Sequence, residues 1–196
     1  MKVIFLDIDG VLNSAKHVHE LWDRKESGEI SVDTYWEIND LPYEGTLKPL
    51  QKIIQETGAI IVLSSTWRLS HKRINQLNEI FKEYGFQISD TTEHGVWIDW
   101  LVEMGFDPSK CYHKYANKYG EEYTTDRGAE IMLWLRNHSN VESFVILDDD
   151  IADIEPYYTK EHVKTDFYGE ALNMECAEKA IKILNKGDYE NEIMAL

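Results

Sequence analysis

The chain has 196 residues, 43% of them hydrophobic and 12% aromatic. That is enough apolar material for one domain that hides about 70% of its extended-chain surface without staples. Four prolines and eleven glycines exclude collagen-like and linker-like chains. Thirty-six acidic residues against twenty basic ones leave a net charge of −16, which disfavours nucleic acid and anionic membrane as partners. Cys111 and Cys176 lie outside any paired motif, so neither a disulfide framework nor a structural zinc site is expected. No apolar run approaches the roughly 18 residues of a membrane helix. The N-terminus lacks signal-peptide character, and a cytoplasmic location is the expectation.

In chain order, Val3-Ile4-Phe5-Leu6 is β-branched and aromatic and stops at Asp7. It reads as a strand buried on both faces. Residues 14–45 carry eight acidic and three basic residues together with Trp22, Tyr35, Trp36 and Tyr43, and read as an insertion after the first strand, a candidate lid. Leu47, Leu50, Ile53 and Ile54 share a helical face, with Thr46 as N-cap and Gly58 just past the end. Ala59 to Leu63 is a second buried strand, stopping at Ser64-Ser65-Thr66. Ser70 caps a helix carrying Ile74, Leu77, Ile80, Phe81 and Tyr84, closed by Gly85. Residues 86–125 hold Trp97, Trp100 and a tyrosine-rich stretch and break the alternation without revealing a role; Trp97, Trp100 and Trp134 are expected in the core. Asp126 is placed to cap a helix through Ile131, Trp134, Leu135 and His138. Phe144 to Leu147 is a third strand, stopping at Asp148-Asp149-Asp150, and residues 162–165 suit a short further strand. A last helix carries Leu172, Ala180, Ile181 and Leu184 before Gly187, and a loose tail follows from Asp188. Strands alternating with helices predict a single α/β domain over residues 1–187 with a parallel sheet.

Ligands of open α/β sheets sit at the carboxyl ends of the strands, where Asp7-Ile8-Asp9-Gly10, Ser64-Ser65-Thr66-Trp67-Arg68 and Asp148-Asp149-Asp150 with Asp153 fall. Several carboxylates at strand ends suit a hard cation such as Mg²⁺. Two carboxylates one residue apart also suit a nucleophile paired with an acid–base group. Arg68 fits either a substrate clamp or a structural ion pair.

The run Phe5-Leu-Asp-Ile-Asp-Gly-Val-Leu-Asn13 resembles the first signature of the haloacid dehalogenase (HAD) superfamily, and the two later clusters resemble its second and fourth signatures. The Ser64-to-Arg68 run and Asp126-Arg-Gly-Ala-Glu-Ile131 are similar to a small phage and bacterial subgroup linked to nucleic-acid repair. The resemblance implies a three-layer, Rossmann-like parallel sheet with a small cap after the first strand. It implies that Asp7 attacks phosphorus and Asp9 serves as acid and base. Gly10 would allow the turn, and Ser64, or Ser65 if the strand runs one residue longer, would bind the phosphoryl group. Mg²⁺ would be held by the Asp7 carboxylate, the Asp9 carbonyl and the Asp148–Asp149 pair, with Asp149 to Asp153 as a spaced alternative. Arg127 would be the basic residue, with Lys114 and Lys118 as rivals. The expected function is a Mg²⁺-dependent phosphohydrolase acting on a small phosphorylated substrate. The alternatives are a phosphatase of nucleic-acid or nucleotide ends and a non-catalytic binding module. Substrate identity and oligomeric state are left open.

Overall fold

A computed structural model describes residues 1–186; the tail expected from Asp188 lies outside the described residues. Five parallel strands form the central sheet: β1 (Lys2–Leu6), β2 (Ile60–Leu63), β3 (Ile88–Thr91), β7 (Ser143–Asp148) and β8 (His162–Lys164), in the spatial order β3-β2-β1-β7-β8. Between β3 and β7 the chain adds β4 (Val96–Trp97), β5 (Tyr115–Ala116) and β6 (Glu122–Thr124), a separate antiparallel sheet in the order β4-β6-β5.

The central strands are apolar on both sides because helices cover both faces. Ile4, Leu6, Ile61, Leu63, Val145 and Leu147 pack on one side. There they meet α3 (Glu44–Thr57), α4 (His71–Glu83) and α7 (Met174–Leu184) through residues such as Leu50, Ile53, Phe81 and Ala180. The alternate residues Val3, Phe5, Val62 and Ile146 face α6 (Arg127–Asn137) through Ile131 and Trp134. The result is the expected three-layer, Rossmann-like α/β arrangement. No helix among the described residues is long and apolar enough to cross a membrane.

The insertion after β1 folds into α1 (Ala15–Glu26) and α2 (Val32–Ile38), each started by a serine side chain, Ser14 and Ser31. Trp22 and Tyr35 meet edge to face at 5.6 Å between these helices. The next helix begins at Glu44, ahead of the expected cap Thr46. The Thr46 hydroxyl instead donates to the carbonyls of Leu12 (2.8 Å) and Tyr43 (2.9 Å), tying the first turn of α3 to the loop after β1. Ser70 caps α4 as expected. Asp126 precedes α6 but makes no cap bond. The first amide of that helix, at Arg127, donates to the Asp153 carboxylate (3.1 Å) from the loop after β7.

The insertion between β3 and α6 also contains α5 (Ile98–Glu103). Val96, Ile98 and Leu101 pack with Ala129 of α6 in a small core of their own. Trp134 is buried as expected and Trp100 packs at the edge of this small core, but Trp97 is 52% exposed. On the two-residue strand β4, Val96 takes the inward position, and alternation sends Trp97 outward.

Candidate active site

β1 lies at the centre of the sheet, and the chain builds outward from it to β3 before crossing back to β7 on its other side. The loops after β1 and β7 therefore part at this switch point, and a crevice opens at the strand ends. Leu6 pairs with Leu147 in the β1–β7 register, so Asp7 and Asp148, the next residues, emerge side by side. The Asp7 amide still donates to the Leu147 carbonyl at 3.0 Å. A cleft of about 240 Å³ is lined there by Asp7, Asp9, Thr66, Arg127, Asp148 and Asp149, with Asp150 and Asp153 at its side.

The carboxylates of Asp7, Asp148 and Asp149 each offer an oxygen within 4.8 Å of the others. Burial pushes the Asp7 carboxyl up to about 7. The Arg127 guanidinium and a hydrogen bond from Ser65 pull it the other way, and the Asp9 charge raises it further. Asp148 is driven well above the ordinary carboxylate range, first by burial and then by the Asp7 charge beside it. Burial also raises Asp149, which Lys164 at the end of β8 partly offsets. Three hard oxygen donors that repel one another are the donor set a divalent cation fits. Asp153, the alternative of the spaced pattern, instead accepts from the backbone of Arg127. Asp150 closes a local turn on the amide of Ala152 at 2.8 Å.

Gly10 lies in this loop at a φ of 77°, a left-handed conformation that favours glycine. A side chain would be excluded as well, because a Cβ there would lie 2.3 Å from the Asp149 carboxyl carbon. The Gly10 carbonyl accepts from Thr165 (2.7 Å) and its amide donates to Asn13 (3.1 Å), so the turn is held from both sides.

Asp9 is exposed to the cleft, yet both its oxygens are held. Oδ1 accepts from Asn13 Nδ2 at 2.9 Å and Oδ2 from the indole Nε1 of Trp67 at 3.1 Å. The same residues anchor the end of the insertion that follows β1. Asn13 also donates to the Asp40 carbonyl at 2.8 Å. Arg73 stacks 4.4 Å over the Trp67 ring and pairs with the Asp40 carboxylate.

The two serines after β2 divide. The Ser64 amide continues the ladder to Leu6 at 2.8 Å, and its buried hydroxyl has no hydrogen-bond partner among the described residues. Ser65 hydrogen-bonds Asp7 and also accepts from the Trp67 amide. Arg68 does not line the cleft. Its buried guanidinium donates to the carbonyls of Ser65 (2.7 Å) and Glu93 (3.2 Å) and to the Glu130 carboxylate (2.6 Å). The structural ion pair is thus the arrangement present, and burial lowers the Arg68 pKa to about 10.

Glu130 was not singled out by sequence. It is fully buried and receives Arg68, Arg127 (2.9 Å) and the amide of Gly95 (2.9 Å). Its spacing of three from Arg127 on one helix is the signal that would have found it. Arg127, held by this pair, reaches the cleft. Lys114 instead pairs with Glu122 at 3.7 Å and Lys118 lies over Tyr119, both on the second insertion.

A parallel α/β sheet with an Asp-x-Asp loop after its central strand, facing an aspartate pair on the neighbouring strand, is the core of a HAD-type hydrolase. The chain matches the family described as the HAD domain in Swiss Army Knife RNA repair proteins over residues 3–169 and belongs to that family. No curated protein and no solved structure matches it.

Proposed function

We propose that the protein is a Mg²⁺-dependent phosphoric monoester hydrolase that works through an aspartyl-phosphate on Asp7. The observation that carries this reading is the convergence of Asp7, Asp148 and Asp149 within 4.8 Å, with Arg127 beside them in one cleft. Asp7, Asp148 and Asp149 would hold the cation with the Asp9 carbonyl. Bound there, the cation supplies Lewis-acid neutralisation of charge on the phosphoryl oxygens.

The Asp7 carboxylate attacks phosphorus in line as the ester P–O bond breaks. Asp9, its oxygens aligned by Asn13 and Trp67, gives its proton to the departing oxygen. The same carboxylate then takes a proton from water, which attacks the acyl phosphate, frees inorganic phosphate and restores Asp7. The Arg127 guanidinium and the unpaired Ser64 hydroxyl bind the non-bridging oxygens, while Ser65 orients Asp7. A leaving alkoxide needs a proton and a halide does not, so Asp9 supports phosphate-ester chemistry over dehalogenation.

Family membership favours a phosphorylated RNA end over a small metabolite as substrate. The test compares hydrolysis of an aryl phosphate, a mononucleotide and an oligonucleotide with a terminal phosphate, with Mg²⁺ and with chelator. The expected result is Mg²⁺-dependent phosphate release that Asp7→Asn abolishes and a kcat/KM highest for the oligonucleotide. Turnover in chelator, or in Asp7→Asn near the wild-type level, refutes the mechanism. A preference for the mononucleotide refutes the substrate reading alone.

A further inference from the structure

We infer that the sheet inserted between β3 and α6 is a stacking platform for single-stranded nucleic acid, carrying the strand whose end enters the cleft. Trp97 of β4 pairs with Tyr123 of β6, and Tyr123 pairs with Tyr115 of β5. These three rings therefore form one row on one face of the sheet. Trp97 and Tyr123 have centroids 5.9 Å apart, Tyr123 and Tyr115 5.5 Å, and His113 continues the row parallel to Tyr115 at 6.4 Å.

The opposite face already supplies the packing. Val96 is buried with Ile98, Leu101 and Ala129, and Thr124, its cross-strand partner, is fully buried. The row is not turned into that core: Trp97 is 52% and Tyr115 46% exposed. A sheet with one solvated face ordinarily makes that face polar, and a contiguous exposed aromatic patch marks an interaction surface.

Charge selects the occupant. Residues 110–124 carry Lys110, Lys114 and Lys118, with His113, against Glu121 and Glu122, so this stretch is net positive in a chain of net charge −16, although Lys114 is paired with Glu122. All three lysines are exposed. Flat rings that accept a base of any identity, flanked by cations that neutralise phosphates, are the means of binding a single strand without reading its sequence. An acidic peptide would use the lysines but has no aromatic faces of its own to match the row.

The insertion is fastened to the cleft at two points. The Asp126 carboxylate accepts from the amides of Tyr112 (2.8 Å) and His113 (2.7 Å), immediately before Arg127. Gly95, two residues ahead of Trp97, donates to Glu130, which holds Arg127. A strand lying on the sheet thus approaches the turn that brings Arg127 to the phosphate. Only that direction of approach rests on the phosphatase reading; the platform does not.

The test is fluorescence anisotropy with a labelled ten-nucleotide single-stranded RNA lacking a terminal phosphate, so that the cleft contributes little. Wild type should bind it, and Trp97→Ala with Tyr115→Ala should weaken binding at least tenfold while still hydrolysing an aryl phosphate. Lys110→Gln, Lys114→Gln and Lys118→Gln together should weaken binding and flatten the log affinity–log salt slope by about 2, from about 0.7 per phosphate contact. Circular dichroism checks folding, and the lysine variant, altered only at exposed positions, decides the matter if the aromatic one unfolds. No RNA binding by wild type, wild-type binding in both variants, or equal competition by polyglutamate overturns the platform. Failure to hydrolyse any phosphate ester would refute the enzyme reading and leave the anisotropy result to judge the platform by itself.

Discussion

Asp7→Asn should make the cation-free protein more stable at alkaline pH while removing turnover. The wild-type carboxyl is raised from 3.8 to about 7, chiefly because ionising it in the crevice means desolvating a charge. The folded chain therefore holds this proton more tightly than the unfolded chain. Its stability falls as pH rises from about 4 to about 7, and the full penalty is present above that. Roughly three pH units at 1.36 kcal/mol each give about 4 kcal/mol as an upper limit. Asparagine has nearly the same shape and no charge, so it is spared the penalty, and Asp148 beside it loses the negative neighbour that raises its own pKa. At 2–4 °C per kcal/mol for a chain of this size, the variant should melt about 10 °C higher than wild type at pH 8 in chelator. The gap should close by pH 4. Added Mg²⁺ should raise the wild-type melting temperature, as a ligand of the folded state does, and raise that of the variant less, since one ligand oxygen has become an amide. The assay is differential scanning fluorimetry across pH with chelator or millimolar Mg²⁺. A variant no more stable than wild type at pH 8, or a gap that persists at pH 4, would refute the electrostatic account of the crevice.

Glu130→Gln leaves the Arg68 and Arg127 guanidiniums facing a neutral amide, and breaking one side of a buried ion pair costs about 3–5 kcal/mol. Urea denaturation should show a loss of that order, and a loss under 1 kcal/mol would mean the pair is not what holds α6 to the strand ends. Gly10→Ala places a methyl group against the Asp149 carboxylate on a backbone with positive φ. The backbone alone should cost about 1–2 kcal/mol, and the displaced Asp149 side chain should add to it and weaken Mg²⁺ binding by calorimetry, whereas unaltered affinity would place Asp149 outside the cation site. Trp67→Phe removes the indole donor to Asp9. A hydrogen bond to a charged group is worth about 1.5–3 kcal/mol, so kcat for an aryl phosphate should fall at least tenfold with KM little changed; an unchanged kcat would show that Asp9 needs no such alignment.

Sequence by itself determined three strands of the central sheet, suggested the β8 segment as a fourth, and marked the strand ends where the candidate site lies; β3 was not read, because only Ile88 of its four residues is apolar. Val3-Ile4-Phe5-Leu6, Ala59 to Leu63 and Phe144 to Leu147 are apolar at every position, as a strand covered on both faces requires, and each ends in polar residues; the second begins one residue later in the fold, at Ile60. Asp7, Asp9 and Gly10 were legible because neighbours in sequence on one loop are neighbours in space. Tertiary structure decided everything that joins distant segments. The β1–β7 register sets Asp7 against Asp148, and Trp67 reaches Asp9 across 58 positions. The cap of α6 comes from Asp153, because Asp126 is turned away to hold Tyr112 and His113. Arg68 became a buried ion-pair partner only because α6 brings Glu130 to it. The outward face of Trp97 was hidden for a simpler reason: a strand of two residues has no period to read, so only its pairing with Tyr123 and the burial of Val96 decide which way the ring points.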